Sequence, residues 1–145
     1  MKILIAESDC GVIEILKTVI NTSQPDWNLS FTTSGKECID VLENGSCPDI
    51  VILGIKLSDM PGFELIEKVR DYSDVPIIFL SCDNDIQTLV KAFDTGANDF
   101  VVIPFNKAIF VARIKTHVRR RDWDIQAIEK KLANVEAKQN ICSWS

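Results

Sequence analysis

The chain has 145 residues, of which 46% are hydrophobic and 26% are charged, and its formal net charge is −5. This composition is typical of one soluble globular domain that can bury a core of its own. No apolar run is long enough to span a bilayer and no basic-then-apolar leader opens the chain, so we expect a cytoplasmic protein that does not enter membranes. The surplus of acidic residues lies in the first 120 residues, which argues against direct nucleic-acid binding by that part.

The cysteines do not have the spacing of a metal site or of a redox motif. There are five of them, at Cys10, Cys38, Cys47, Cys82 and Cys142, and no two form a Cys-x-x-Cys pair. Because His117 is the one histidine, we expect no zinc site. Reduced, partly buried thiols are the interpretation that fits a cytoplasmic protein.

Short apolar runs alternate with helical patterns through the first 120 residues. The runs predict five strands, at residues 3–6, 27–31, 50–53, 76–80 and 100–103. Apolar residues at helical spacing predict five helices, at residues 11–21, 35–44, 63–71, 86–94 and 107–120. Strands that are apolar throughout and are joined by helices indicate a parallel sheet that is buried on both faces. We therefore predict a doubly wound α/β domain with strand order 2-1-3-4-5.

In such a fold the site lies at the carboxyl ends of the strands. The residues that the sequence places there are Glu7, Ser8, Gly54, Ser81 and Ile103. Four of these residues carry no charge, and one of the four, Gly54, has no side chain. The candidate pocket is therefore poor in catalytic groups, and we predict no catalytic residue and no enzymatic activity.

The last 24 or so residues follow a different pattern, and we expect a domain at residues 1–121 followed by a helical extension at residues 122–145. Apolar residues recur there at spacings of three and four, which is a heptad pattern of about three repeats. The positions are Ile125, Ile128, Leu132 and Val135, continued by Gln139 and Cys142. A helix with one apolar side needs a partner. Either it forms a parallel homodimer or signalling helix, or it packs on the surface of its own domain.

Four segments resemble, in order and spacing, the receiver domain of response regulators in two-component signalling. They read ILIAESD at 3–9, LGIKLSDMPG at 53–62, IIFLS at 77–81 and GANDFVVIPF at 96–105. The resemblance implies the flavodoxin-like, three-layer α/β/α receiver fold. It also implies a pocket in which an aspartate accepts phosphate from a phosphohistidine, with Mg²⁺ held by acidic residues and the phosphoryl oxygens bound by a hydroxyl and a lysine.

The chain departs from that family pattern at the reactive positions. Gly54 stands where the resemblance places the phosphoacceptor aspartate, Ser8 stands in place of an acidic metal ligand, and Ile103 stands in place of the lysine. Glu7 keeps an acid that is one methylene longer than the usual aspartate, and Ser81 keeps the hydroxyl. We therefore expect no phosphoacceptor, no cofactor, and weak or absent Mg²⁺ binding, with Glu7 as the one weak candidate for a metal contact.

Lys56 follows Gly54 by two residues, where the family has an apolar residue. We expect its ammonium group to reach into the emptied pocket and form an ion pair with Glu7. Asp9 is expected to cap the first helix, and Asp59 is read as a turn residue more than as a substitute phosphoacceptor.

Two further expectations come from the family signature at 96–105. The resemblance places Phe100 at the position of the switch aromatic, although it has no hydroxyl. It also implies a cis peptide bond before Pro104, an isomer that X–Pro bonds adopt in only about 5–6% of cases.

Three functions are compatible with these residues. The leading hypothesis is a pseudo-receiver that signals through a protein partner, such as a histidine kinase or an output domain, or through a homodimer. The second is phosphate acceptance or anion binding by hydroxyls, with Ser8, Ser58 and Ser81 as candidates, although an unactivated serine is a weak nucleophile. A flavodoxin-like ligand binder is the third, and the absence of a Gly-rich loop after the first strand argues against it.

Overall fold

The computed structural model describes the backbone of residues 1–142 and the side chains of residues 1–135. Five strands are present, namely β1 (Lys2–Ala6), β2 (Asn28–Thr32), β3 (Ile50–Gly54), β4 (Ile77–Ser81) and β5 (Asp99–Val102). Five helices alternate with them, namely α1 (Cys10–Ser23), α2 (Gly35–Glu43), α3 (Gly62–Tyr72), α4 (Ile86–Thr95) and α5 (Lys107–Cys142). Most predicted boundaries agree to within two residues, and the exception is the end of α5.

All strand pairs are parallel, and the sheet order is β2-β1-β3-β4-β5. The predicted fold class and strand order are therefore confirmed. Strands β3 and β4 are buried along their whole length, whereas the edge strand β2 alternates between more exposed and less exposed residues. This difference is expected, because an inner strand of a doubly wound sheet is covered on both faces and an edge strand is not.

The sheet separates two apolar layers. Ile3 and Ile5 of β1 face the layer that contains α1 and α5, where Leu16 and Ile114 are fully buried. Leu4 of β1 faces the opposite layer, which contains α2, α3 and α4. Successive strand residues alternate between the two layers because side chains along a strand point to opposite faces. Because all five strands are parallel, their carboxyl ends lie at the same edge of the sheet.

Helix α4 buries little of its apolar surface. Ala92 is its one buried residue, whereas Ile86 is 75% exposed. Leu89, Val90 and Phe93 are also exposed, and together with Ile86 they lie on one side of the helix at spacings of three and four. These four apolar residues therefore form a stripe on α4 that the domain's own core does not cover.

Helix α5 continues without a break beyond residue 121, where the sequence pattern changes. Arg121 holds it to the domain, since its guanidinium donates to Oδ1 of Asp74 at 3.2 Å and to the carbonyl oxygen of Pro48 at 3.5 Å. Beyond that contact the predicted stripe, at Ile125, Ile128, Leu132 and Val135, is exposed. The side chains of Gln139 and Cys142 lie outside the described residues. Among the helices that the structure describes, none is both long and apolar enough to cross a membrane.

Candidate functional site

Strand pairing brings the predicted site residues to one edge of the sheet. Ala6 pairs with Leu53, so Glu7 and Gly54 lie at the ends of neighbouring strands. Strand β4 ends at Ser81, which pairs with Val102 of β5. A cavity of about 200 Å³ opens there, and its lining includes five of the six predicted pocket residues: Glu7, Ser8, Lys56, Ser81 and Ile103. Gly54, the sixth, is buried below the carboxylate of Glu7.

Glu7 is a buried carboxylate, with only 7% of its surface exposed. Its Oε1 accepts hydrogen bonds from the backbone N–H groups of Ser8 and Asp9, both at 3.1 Å. Burial raises the pKa of Glu7 above its ordinary value, and the two N–H groups oppose that shift without cancelling it. The charged form of Glu7 therefore carries a desolvation cost, and the hydrogen bonds from the two N–H groups offset part of that cost.

The predicted ion pair between Lys56 and Glu7 is wrong. Lys56 is exposed, and no ion pair joins it to Glu7 within residues 1–135. The reason is that the Glu7 carboxylate turns inward against Gly54 and already has two backbone donors. To reach the buried Glu7 carboxylate, the exposed Lys56 ammonium would have to lose its hydration. A single buried ion pair seldom recovers that cost.

The three candidate hydroxyls already have partners in the protein. Ser8 donates to the carbonyl oxygen of Lys56 at 2.8 Å, and Ser58 donates to the carbonyl oxygen of Thr33 at 3.1 Å. The buried hydroxyl of Ser81 accepts from the N–H of Asp83 at 3.0 Å, which is an interaction of the turn after β4. These contacts give each hydroxyl a structural use, and none of them places a base next to a serine.

Asp59 has a structural role that sequence reasoning missed. Its carboxylate accepts from the N–H groups of Gly35 at 2.7 Å and Lys36 at 3.1 Å, at the start of α2. The hydrogen bond from Gly35 is the main reason why the pKa of Asp59 lies below its ordinary value. Asp9 has the local capping role that was predicted, because it accepts from the N–H groups of Gly11 and Val12.

The 96–105 segment contributes Phe100 to the core and reaches the pocket at Ile103, just before Pro104. Phe100 is buried and stacks on Phe79 with ring centroids 6.0 Å apart, and Phe79 stacks in turn on Phe63 at 5.0 Å. The peptide bond between Ile103 and Pro104, expected to be cis, is cis. Ile103 packs partly against the α1 and α5 side of the core, so an apolar side chain stands at this corner of the cavity.

The donor set of the pocket does not fit the Mg²⁺ ion that the resemblance implies. Mg²⁺ needs several oxygen ligands at about 2.0–2.1 Å in near-octahedral geometry, with carboxylates among them. Glu7 and Asp9 are the carboxylates that line the cavity, and one oxygen of each already accepts from two backbone N–H groups. Within residues 1–135, no cluster of three or more His, Cys, Asp or Glu side chains could hold a metal ion.

Comparison with known proteins places this geometry in a family. Residues 3–115 match the family model described as "Response regulator receiver domain". The chain is 30% identical to the transcriptional regulatory protein YvrH of Bacillus subtilis (strain 168) over 118 residues, which are 81% of this chain and 49% of that protein. It is 32% identical to the transcriptional regulatory protein KdpE of Staphylococcus aureus (strain NCTC 8325 / PS 47) over 114 residues, 79% of this chain and 48% of that protein.

A crystal structure of a two-component response regulator from Clostridium difficile superposes with a TM-score of 0.74. It is 28% identical in sequence, and the superposition covers 83% of this chain and 98% of that one. The chain spans about half the length of the curated relatives it matches. Fold, segment order and sequence similarity agree, and the chain belongs to the response-regulator receiver family of two-component signalling.

Proposed function

We propose that this receiver signals without an aspartyl phosphate at position 54 and acts through contacts with other proteins. The observation that carries the proposal has two parts. Position 54 is a glycine, and the buried carboxylate of Glu7 lies against it. An acceptor needs a nucleophilic oxygen that can reach the phosphodonor. Glycine supplies none, and Glu7 is covered.

The neighbouring residues support the same proposal. Phosphoryl transfer depends on cations that neutralise the charge of the transferring group. Ile103 offers no charge in the pocket, and Ser8 offers a hydroxyl that is bonded to a carbonyl oxygen. A phosphoryl group would therefore meet neither a bound metal ion nor a lysine at position 103 to balance its charge. The partner, by this proposal, is a histidine kinase or an output domain that contacts the folded surface.

We include homodimerisation through the α5 extension in the proposal. Ile125, Ile128, Leu132 and Val135 are between 42% and 59% exposed, which is a large exposure for four apolar residues in one stripe. In a parallel two-stranded coil these residues occupy the a and d positions. A second copy of α5 would bury these four residues. Heptad spacing is the pattern by which two such helices pack against each other.

The charges beside the stripe allow this pairing and limit its strength. In the heptad register of the sequence, Lys131 takes a g position and Glu136 an e position, and their opposite charges make a favourable g–e′ pair. Asp124 would face Glu129, which is unfavourable. A stripe of this length with one pair of each sign predicts a weak dimer that forms at high protein concentration.

Intact mass spectrometry after incubation with Mg²⁺ and acetyl phosphate tests the central proposal. A receiver that keeps its acceptor aspartate serves as the positive control in the same buffer. We expect the control to gain the mass of one phosphoryl group and this chain to remain unmodified. A phosphorylated form of this chain would overturn the proposal, and peptide mapping would then test Asp59, Ser8, Ser58 and Ser81 as acceptors.

Sedimentation analysis over a range of concentrations tests the dimer. Leu132→Asp places a charge in the stripe, and Asn134→Asp places the same charge on an exposed neighbour outside it. We expect only the first substitution to abolish association. If wild type stays monomeric at all concentrations, or if both variants associate like wild type, the dimer is excluded from the proposal.

A further inference from the structure

The carboxylate of Glu7 fills the space in which a side chain at position 54 would begin. An ideal Cβ atom built on Gly54 would lie 2.1 Å from Oε2 of Glu7, 2.6 Å from its Cδ and 2.9 Å from Oε1. Real Cβ atoms essentially never come within 3.0 Å of a heavy atom outside their own residue and its two chain neighbours. The two residues therefore cannot both keep their present backbone and side-chain positions if residue 54 gains even a methyl group.

The reach of Glu7 depends on the methylene by which it exceeds an aspartate. Residues 7 and 54 follow the paired residues Ala6 and Leu53, so their backbones are adjacent strand ends. A carboxylate on a side chain shorter by one C–C bond of about 1.5 Å would end nearer its own strand. The longer acid at one position and the missing side chain at the other are thus geometrically matched.

Contacts within the pocket hold the carboxylate in this place. Oε1 accepts from the N–H groups of Ser8 and Asp9, so moving the side chain would leave two donors without this acceptor. The backbone of Gly54 also cannot move away from Glu7, because it lies against a second glycine, Gly62. A Cβ atom on Gly62 would come within 2.2 Å of the carbonyl oxygen of Gly54. The backbone at position 54 therefore has little room to retreat from Glu7.

We propose that Glu7 and Gly54 are a compensating pair, in which Glu7 supplies the internal occupant of the space that an acceptor side chain would hold. The inference rests on the proposed function and deepens it. Within the pocket, the space over Gly54 is filled by the chain's own carboxylate, independent of a phosphodonor. Glu7 is then a positioning residue, and its length is the property that matters.

A double-mutant cycle in urea tests the pair. The four proteins are wild type, Gly54→Ala, Glu7→Asp, and the variant with both substitutions. We expect Gly54→Ala to lower the urea midpoint in the wild-type background and to lower it much less beside Glu7→Asp. The loss in the folding equilibrium constant caused by Gly54→Ala should be smaller by a factor of about ten or more beside Glu7→Asp. Coupling of this size is what contacting residues show.

Gly62→Ala is the matched control. It introduces the same methyl group into the same corner, but the methyl group meets the backbone of Gly54 and the ring of Phe79, which a shorter residue 7 cannot relieve. Glu7→Asp should therefore rescue Gly54→Ala and leave Gly62→Ala unrescued. Equal losses from Gly54→Ala in both backgrounds would overturn the inference, and so would failure of the alanine variant to fold in both.

The side-chain carboxyl resonance of Glu7 in NMR gives an independent readout. Gly54→Ala should displace it, because the methyl group forces the carboxylate from its place, while the resonance of the exposed Glu14 should stay where it is. An unmoved Glu7 resonance in a folded Gly54→Ala variant would overturn the inference. Failure of the proposed function is a separate result: phosphorylation of wild type would leave the outcome of this cycle unchanged.

Discussion

Nε2 of His117 lies 2.9 Å from Oδ2 of Asp99, and this contact ties the N-terminal third of α5 to the first residue of β5. Arg113, one turn earlier on α5, donates to Oδ1 of the same carboxylate at 3.1 Å. The side chains of His117 and Asp99 are only 15% and 16% exposed, so their contact is shielded from bulk water, whereas the Arg113 side chain is 46% exposed. Asp99 thus adds a directional contact to the apolar packing that holds α5 on the sheet.

Asp99→Asn should destabilise the domain in a pH-dependent manner. Burial alone would raise the pKa of Asp99, but the His117 hydrogen bond, the N–H of Phe100 and the charge of Arg113 together lower it below its ordinary 3.8. A lowered folded pKa means that the carboxylate stabilises the fold above 3.8 and that this contribution is lost as the pH falls through the lower folded value. We expect a loss of about 1.5 kcal/mol at neutral pH.

Urea unfolding across a pH series measures that loss. The difference between wild type and Asp99→Asn should shrink as the pH falls below 3.8. Asp94→Asn, on the exposed side of α4, removes the same charge without these contacts and should have little effect. A wild-type to Asp99→Asn difference that stays constant through the acid range would show that the charge of Asp99 does not stabilise the fold.

Asp59→Ala should lower the urea midpoint by removing the acceptor at the start of α2. Gly35 and Lys36 have N–H groups that face this carboxylate, and the first turn of a helix has no backbone acceptors of its own. The matched control is Asp40→Ala, on the exposed side of the same helix. Because the pKa of Asp59 is lowered, its contribution is present above its ordinary pKa and lost on acidification. Equal midpoints for the two variants would contradict the capping role.

Arg70→Lys should destabilise the fold although it keeps the positive charge. The Arg70 guanidinium donates to the carbonyl oxygens of Gly96, Ser73 and Val75 and to the side chain of Asn98. A lysine ammonium lacks the planar fork that serves these acceptors together. We expect a loss of about 2 kcal/mol in the free energy of unfolding, measured in urea.

Arg120→Lys makes the corresponding change at an exposed site and should be close to neutral. A similarly small effect of Arg70→Lys would mean that the carbonyl groups find water or other donors. The contacts of Arg70 would then be a consequence of the fold and not a support of it.

The sequence was sufficient to predict the elements that depend on continuous apolar runs. Strands β3 and β4 are recognisable because each residue from Ile50 to Leu53 and from Ile77 to Leu80 is apolar, which requires burial on both faces. The same reasoning placed the strand ends together, and with them most of the candidate pocket. Local capping by Asp9 was predictable for a similar reason, since a cap and its helix are adjacent in the chain.

Contacts between distant segments could not be predicted in this way. Asp59 caps a helix that begins 24 residues earlier, and no local pattern reveals that approach. Lys56 was expected to turn inward because its charge complements that of Glu7. Side-chain direction depends on the space that remains, however, and Glu7 had already filled the space over Gly54. The direction of the Lys56 side chain therefore follows from the packing of Glu7 and not from the attraction between the two charges.

Restoring acidic residues to the pocket should help only if residue 7 is also shortened. Ser8→Asp together with Gly54→Asp supplies two carboxylates for Mg²⁺, but the Glu7 carboxylate occupies the place of the new side chain at position 54. Mg²⁺ tolerates little departure from its octahedral geometry, so a displaced ligand weakens binding steeply. Adding Glu7→Asp should therefore raise the Mg²⁺ affinity by about tenfold or more, which is about 1.4 kcal/mol.

Isothermal titration calorimetry with MgCl₂ at fixed ionic strength compares the double and the triple variant. Glu7→Asp alone is the control and should not bind more tightly than wild type, because it adds no carboxylate. Acetyl phosphate can then be offered to the triple variant, whose acceptor and metal ligands would be in place although Ile103 still lacks a positive charge. If the double and triple variants bind Mg²⁺ equally, Glu7 yields its place without cost, and its length does not decide the state of the pocket.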